Sequence, residues 1–485
     1  MQSLKEKALK GTAWSAIQMG GMRLVNFAVF WILARQLNAE DFGLISYANV
    51  YIALVTVFVD QGFTEAIIQR DKVEKEHLDT VFWIGVVLST LMVLISVLFA
   101  PNIANLFNES ELTIVIQLLS INFILISLSS VPQAILKRNL EFKGLAVRSF
   151  VAAVAGGLVG VVMAFQGYGV WSLVGQTLVN QAVGILVLWR VVDWRPGIAV
   201  SRQHFKELFT FGINIVGSKV INFFNRRADD LLIGYFLGTT MLGYYTIAYK
   251  TLLMLTQILI QVTQAVALPA FSRLQDNPKK LISAFKDATS LTALVSFPIF
   301  FGISLTAPTL IPLVYGEQWA NSIPIVQVLM FVGALHSILF FHGSLSIALG
   351  ATSWRLGITT AGALLNLLGF FIALRWGLIA IAFSYAIMSY LLIPIELWLT
   401  KKLLPSFDIP EYLKQYLVPI IAVVLMALAV WGSQQTPSIQ SANNYLQMTV
   451  LGCVGAMAYF VTIYTTKPEL INKFVGSIKS FLPTS

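Results

Sequence analysis

Residues 80–100 read TVFWIGVVLSTLMVLISVLFA. The stretch carries no charge, and at a helical rise of about 1.5 Å per residue it matches the ~30 Å hydrocarbon core of a bilayer. It lacks the apolar–polar alternation of a barrel strand, so the element it predicts is a membrane-spanning helix.

Similar stretches recur on both sides of it. Apolar windows place spans near 11–34, 42–64, 80–100, 113–136, 146–165 and 169–189, then near 209–236, 241–266, 288–314, 323–349, 356–375 and 377–399. A polar connector from Arg190 to Lys206 separates these two sets of six, and two further spans near 416–432 and 445–465 follow Lys401 and Lys402. Composition agrees: 57% hydrophobic, 11% charged and a mean hydropathy of +0.77 over 485 residues is more apolar surface than a soluble core can hide. The expected fold class is an all-α polytopic membrane protein of about fourteen transmembrane helices. Its expected divisions are residues 1–190, a connector at 191–208, residues 209–400, and a C-terminal part at 401–485 holding two extra helices and a basic tail.

The first apolar stretch follows Lys5, Lys7 and Lys10 as a signal peptide would, but it runs to Ala34 and carries Gln18, Arg23 and Asn26. It is expected to be retained as the first span. Cys453 is the single cysteine, which excludes an intrachain disulfide and a cysteine metal cluster, and the four histidines are scattered. No metal, cofactor or catalytic centre is expected.

A net charge of +9 would point to nucleic acid in a soluble protein; in a membrane protein it reports orientation instead, and no nucleic-acid partner is expected. With the N-terminus inside, Lys75, Lys143, Arg148, Arg190, Lys286, Arg355, Lys401, Lys414, Lys467 and Lys473 fall with most other bases on the cytoplasmic side, while the opposite loops hold Arg35 and Arg375. Both termini are therefore expected in the cytoplasm. The outer connections, such as Gln36 to Asp41 and Gly238 to Met241, are too short for an external domain.

The two sets of six spans repeat at an offset of about 200 residues. Leu37-x5-Gly43 recurs as Leu237-x5-Gly243, Ala48 as Ala248, Gln61 as Gln261, and Ala100-Pro101 as Ala307-Pro308. An even number of spans per repeat makes the two bundles parallel, a transporter architecture with substrate at the repeat interface.

Ionisable side chains at membrane depth cost about 2.5–3.5 kcal/mol each even on insertion scales, so each needs a partner, a wet cavity or a function. Here they are Arg23 in the first span, Asp60 in the second, Lys219, Arg226, Arg227, Asp229 and Asp230 in the seventh, and Lys250 in the eighth. Lys219, Asn222, Arg226 and Asp230 share one helical face, and Lys250, Gln257, Gln261 and Gln264 draw a second polar stripe. Arg226 can pair with Asp229 or Asp230 as a purely structural device. Five bases against three acids nevertheless leave a cation surplus suited to an anionic substrate, a diphosphate or a sugar carboxylate. Asp60, Asp229 and Asp230 are candidates for ion or proton coupling, with salt bridges to Arg23 or Arg226 as the alternative. Gly156-x3-Gly160 predicts a close helix contact, and Pro298, Pro308, Pro312 and Pro324 predict bends.

Four segments resemble the polysaccharide transporter branch of the multidrug/oligosaccharidyl-lipid/polysaccharide exporter superfamily, which includes the Wzx-type O-antigen and colanic-acid flippases. They are Leu37-Asn-Ala-Glu-Asp-Phe-Gly43, Pro132-Gln-Ala-Ile-Leu-Lys-Arg138 leading into Phe142-Lys143, Gly167-Tyr-Gly-Val-Trp-Ser-Leu-Val174, and Tyr315-Gly-Glu-Gln-Trp319 with Pro324. The resemblance covers nearly the whole chain. It implies two six-helix bundles around a cationic cavity that flips undecaprenyl-diphosphate-linked repeat units, acidic ones on the cation surplus above, across the bacterial inner membrane, with the polyprenyl tail left in lipid and the sugars meeting Asn26, Asn222, Gln257, Gln261, Tyr245 and Tyr249. It also implies partners among the polysaccharide polymerase and chain-length machinery. A cation-coupled multidrug antiporter of the same superfamily would centre on buried acids. A membrane glycosyltransferase or polymerase would need a larger external loop than any here, and Glu40 and Asp41 read more simply as a solvated turn.

Overall fold

The structure is a computed structural model, described here for residues 20–60, 63–69, 73–198, 201, 216, 219–220, 223 and 227–481, without the side chains of residues 60, 63, 65, 258–266, 475 and 477–481. Among the described residues every regular element is helical, because lipid offers a backbone no hydrogen-bond partner and only a helix satisfies itself. Eleven helices among them are long and apolar enough to cross a membrane. Leu98, Leu356, Trp376 and Met457 are each about two-thirds or more exposed, as expected where hydrocarbon is the solvent.

The chain forms two compact units, Met1–Gly243 and Tyr244–Ser485. The first contains α1 (20–36), α2 (Ala39–Asp60), α3 (Phe63–Gln69), α4 (Lys75–Leu106), α5 (Leu112–Arg138), α6 (Phe142–Phe165), α7 (Val170–Val191), the described helical stretch α8 (227–237) and the first turn of α9 (Thr239–Leu274). Of the second span, expected near residues 42–64, the described parts are helical, α2 to Asp60 and α3 from Phe63, with residues 61–62 outside the described residues.

Helices α6 and α7 meet at the small-residue seam the sequence predicts. A Cβ at Gly156 would lie 2.6 Å from the Gln176 carbonyl oxygen, and one at Gly160 3.1 Å from that of Ser172, so glycine alone lets the backbones approach this closely. A Cβ at Gly43 would overlap the Thr239 carbonyl and one at Gly243 the Ala39 carbonyl. These four residues lie in the same unit, and the two repeated glycines are used reciprocally. Val81 and Phe82 pack with Ala66, Ile67, Val131, Ala134, Trp189 and Trp194 at one end of this unit, where Arg138 Nη1 donates to the Ile67 carbonyl at 2.8 Å.

The second unit contains the rest of α9, then α10 (Pro278–Tyr315), a 3-10 turn (Glu317–Ser322), α11 (Ile323–Ala348), α12 (Thr352–Ala373), α13 (Leu378–Leu391), α14 (Ile393–Leu403), α15 (Ile409–Lys414), α16 (Leu417–Gln434), α17 (Pro437–Gln440), α18 (Asn444–Thr466) and α19 (Pro468–Phe481). Pro298, Pro308 and Pro312 all lie inside α10, which stays one assigned helix through them, and Pro324 sits in the first turn of α11, where a missing N–H costs nothing. The twelfth expected span is met by one membrane-crossing stretch, Leu378–Leu403, whose helix is interrupted by a turn at Leu392, ahead of Pro394. The extra helices α16 and α18 dock on α10 through Leu294, Ala422, Met426, Leu451 and Tyr459, and the Tyr459 hydroxyl donates to the Leu294 carbonyl at 3.1 Å.

Candidate anion path and its relatives

In the first unit, Arg227 on α8 pairs with Asp230 one turn later, Nη1 to Oδ2 at 2.9 Å. The structural alternative of Arg226 pairing with Asp229 or Asp230 falls on a residue outside the described ones, and Arg227 is engaged with Asp230 in this conformation. Its side chain is 42% exposed and that of Asp230 13%, leaving the guanidinium the accessible partner. Lys219 and Asp229 are half-buried and engaged with neighbours. Arg23 is half-buried on α1, and Asn26, less than one turn on, is exposed. Asn222 and Arg226 lie outside the described residues, as do the side chains of Asp60 and Gln261.

The sequence assigned Arg148 to the cytoplasmic side as an orientation marker, yet the structure places it on α6 with its Nε buried and no hydrogen-bond partner. Its guanidinium lies over Gly184 of α7, where a Cβ would sit 3.3 Å from Nε. A glycine on the facing helix leaves the space the head group fills. The signal was present in the sequence: Arg148 falls inside the apolar window 146–165. An unsatisfied buried guanidinium N–H favours an acceptor, above all an anionic one.

In the second unit, half-buried Lys250 on α9 follows two tyrosines on the same helix. The Tyr245 and Tyr249 rings stack with centroids 5.8 Å apart; Tyr249 lies 6.5 Å from Tyr385 of α13, and Tyr385 6.1 Å from His336 of α11. Tyr245 is fully buried and so supports the stack from behind. Tyr249 and Tyr385 provide the accessible aromatic surface, the second of them not foreseen. Gln257 is exposed two turns along α9.

At one end of this unit a chain of hydrogen bonds links α11, α14, α15 and Tyr416 at the start of α16. The Thr400 hydroxyl donates to the Glu396 carbonyl at 2.9 Å, so its oxygen accepts from His342 Nδ1 at 2.8 Å. His342 Nε2 then accepts from the Tyr412 hydroxyl at 3.1 Å, whose oxygen accepts from Tyr416 at 2.8 Å. Beside it, Arg355 Nη1 bonds Glu396 Oε1 at 2.6 Å. Every ring nitrogen is satisfied, so His342 is a fastening group. No group of three or more potential metal ligands occurs among the described residues.

Residues 32–324 match the family described as Polysaccharide biosynthesis protein. The chain is 31% identical to the lipopolysaccharide biosynthesis protein WzxC of Escherichia coli (strain K12) over 71% of each chain. It is 24% identical to the succinoglycan biosynthesis transport protein ExoT of Rhizobium meliloti (strain 1021), over 98% of this chain and 96% of that one. Its fold is similar to that of the lipid II flippase MurJ, with a TM-score of 0.76 at 16% identity, covering 94% of this chain and 99% of the other. The expected membrane-helical fold and the resemblance carried by the four sequence segments are thus met by matches over most of the chain: it belongs to the polysaccharide biosynthesis protein family.

Proposed function

We propose that the protein is a flippase that moves undecaprenyl-diphosphate-linked, acidic oligosaccharide repeat units across the bacterial inner membrane by alternating access, for exopolysaccharide, capsule or O-antigen synthesis. It is a transporter, not an enzyme. Family membership is the observation that carries this reading. The proposed organisation keeps a six-span bundle at residues 1–190, a connector at 191–208, a second bundle at 209–400 and an appended pair of helices at 401–485, with both termini cytoplasmic.

On this proposal Arg23, Lys219, Arg226, Arg227 and Lys250 neutralise the diphosphate and any sugar carboxylate, with Arg148 added to them. Their charge lowers the cost of taking an anion through a low-dielectric region. Asn26, Asn222, Gln257 and Gln261 bond sugar hydroxyls, and Tyr249 and Tyr385 offer faces to sugar rings. Asp60, Asp229 and Asp230 are the proposed coupling groups. Protonation of Asp230 would release Arg227 to the substrate, which gives that salt bridge a role in the cycle. A polysaccharide polymerase and chain-length machinery are the proposed downstream partners.

The test is flipping of lipid-diphosphate oligosaccharide in reconstituted vesicles, comparing wild type with Arg148→Ala, Arg226→Ala and Lys250→Ala. A charge-assisted contact of about 1.5–3 kcal/mol lost in the rate-limiting state lowers the rate about 10- to 150-fold. Unchanged rates in all three variants sink the cationic path, and absence of flipping by the wild type sinks the function.

A further inference from the structure

One end of the second unit holds a cavity of about 560 Å³ bounded by α10, α15, the end of α18 and α19, within the range of small-molecule sites. Its charged walls are Lys286 and Asp287 from α10, Glu411 and Lys414 from α15, Lys467 after α18, and Glu469 and Lys473 from α19. Two ion pairs brace it: Lys286 to Glu411 joins α10 to α15, and Lys473 Nζ to Asp287 Oδ1 at 2.6 Å joins α19 to α10. Neither Lys414 nor Lys467 has an ion-pair partner among the described residues.

We propose that this cavity binds the phosphodiester headgroup of an anionic membrane lipid, at the cytoplasmic leaflet on the orientation given above. Four ammonium groups against three carboxylates leave one net positive charge, complementary to the single negative charge of a phosphodiester. The surroundings suit a lipid rather than free phosphate. Leu413 and Leu417, flanking Lys414, are 46% and 55% exposed, and Ile420 and Ile421 about half exposed, so an apolar surface for acyl chains begins at the cavity rim. Helix α19 is anchored by Leu470, Ile471 and Phe474 in the core of this unit, which holds Lys473 at the cavity as an amphipathic helix at a bilayer surface does. Basic cavities beside the cytoplasmic ends of membrane helices select anionic lipids by this electrostatics.

The site uses none of the residues of the translocation path, so it stands or falls separately from the flipping assay. The purified full-length protein is equilibrated with mixed micelles of phosphatidylglycerol, phosphatidylethanolamine and phosphatidylcholine, and retained lipid is read by native mass spectrometry. Phosphatidylglycerol should be retained preferentially, with retention falling about fivefold for each lysine removed in Lys414→Gln, Lys467→Gln and their double variant. Lys279→Gln with Lys280→Gln, on α10 but not lining the cavity, should keep it, and inorganic phosphate at about 10 mM should not displace it. Equal retention in the double variant, equal loss in the control pair, no preference for the anionic lipid, or displacement by inorganic phosphate would each overturn the proposal. Among the described residues Lys414 and Lys467 make no ion pair whose loss could unfold the protein, and the single variants supply graded readings.

Discussion

Asn38 and Asp41 exchange hydrogen bonds at the start of α2: the Asn38 amide donates to Asp41 Oδ2 at 3.1 Å and the Asp41 amide to Asn38 Oδ1 at 2.9 Å. This is a reciprocal helix cap, so Glu40 and Asp41, read from the sequence as a solvated turn, lie in the first turn of α2 itself, and Asp41 is occupied with backbone. Glu40 acts at a distance. Together with Glu111 it raises the carboxyl of Glu109, in the turn after α4, above its ordinary value, burial being the larger cause. The folded protein therefore holds the Glu109 proton more tightly than the unfolded chain, and a stability cost develops as pH rises through the carboxylate range. Glu109→Gln should raise the melting temperature at pH about 7.5 and lose that advantage near pH 4; an equal gain at both would refute the assignment. At this scale the sequence named Arg227 and Asp230 but not their pairing with each other, which depends on how α8 is rotated, and a span of mixed polarity does not fix that.

Among elements, the seam of α6 and α7 was readable because Gly156-x3-Gly160 is a local pattern with one physical use. Leucine at Gly156 must push the helices apart, since even its Cβ would lie 2.6 Å from the Gln176 carbonyl oxygen and 3.1 Å from the Asn180 Cα. Overpacking of this kind costs about 1–3 kcal/mol. Gly156→Leu should lower the thermal midpoint in detergent, while Gly452→Leu, where a Cβ meets nothing within 4 Å, should leave it near wild type. The prolines were less informative. Three of them fall in α10 without ending it, because neighbouring helices in a membrane can satisfy the carbonyls a proline frees; Pro394 does mark a break between α13 and α14. Proline spacing alone carries no information about which case applies.

For the whole molecule, composition settled the solvent and periodicity settled the helices, since both are averages over many residues. Docking was hidden. The Lys286–Glu411, Lys473–Asp287 and Tyr459–Leu294 bonds join residues 125, 186 and 165 positions apart, and nothing local in the chain marks one as the partner of another. The repeat is the exception, because its two copies of one motif meet. Gly43 faces the carbonyl of residue 239 and Gly243 that of residue 39, so the pairing is unchanged when the copies are exchanged. It has the form of an isologous interface, normally found between identical subunits, contained within one polypeptide. Both glycines then guard a single crossing, and their substitutions are coupled. Gly43→Ala and Gly243→Ala should each destabilise, but the double variant should fall short of their sum by about 0.5–3 kcal/mol, since a crossing already widened by one methyl group admits the second more cheaply. Additive losses in thermal denaturation would mean that the two sites relax independently. One self-complementary surface thus constrains two distant stretches of sequence, and a change tolerated at one alters what the other can accept.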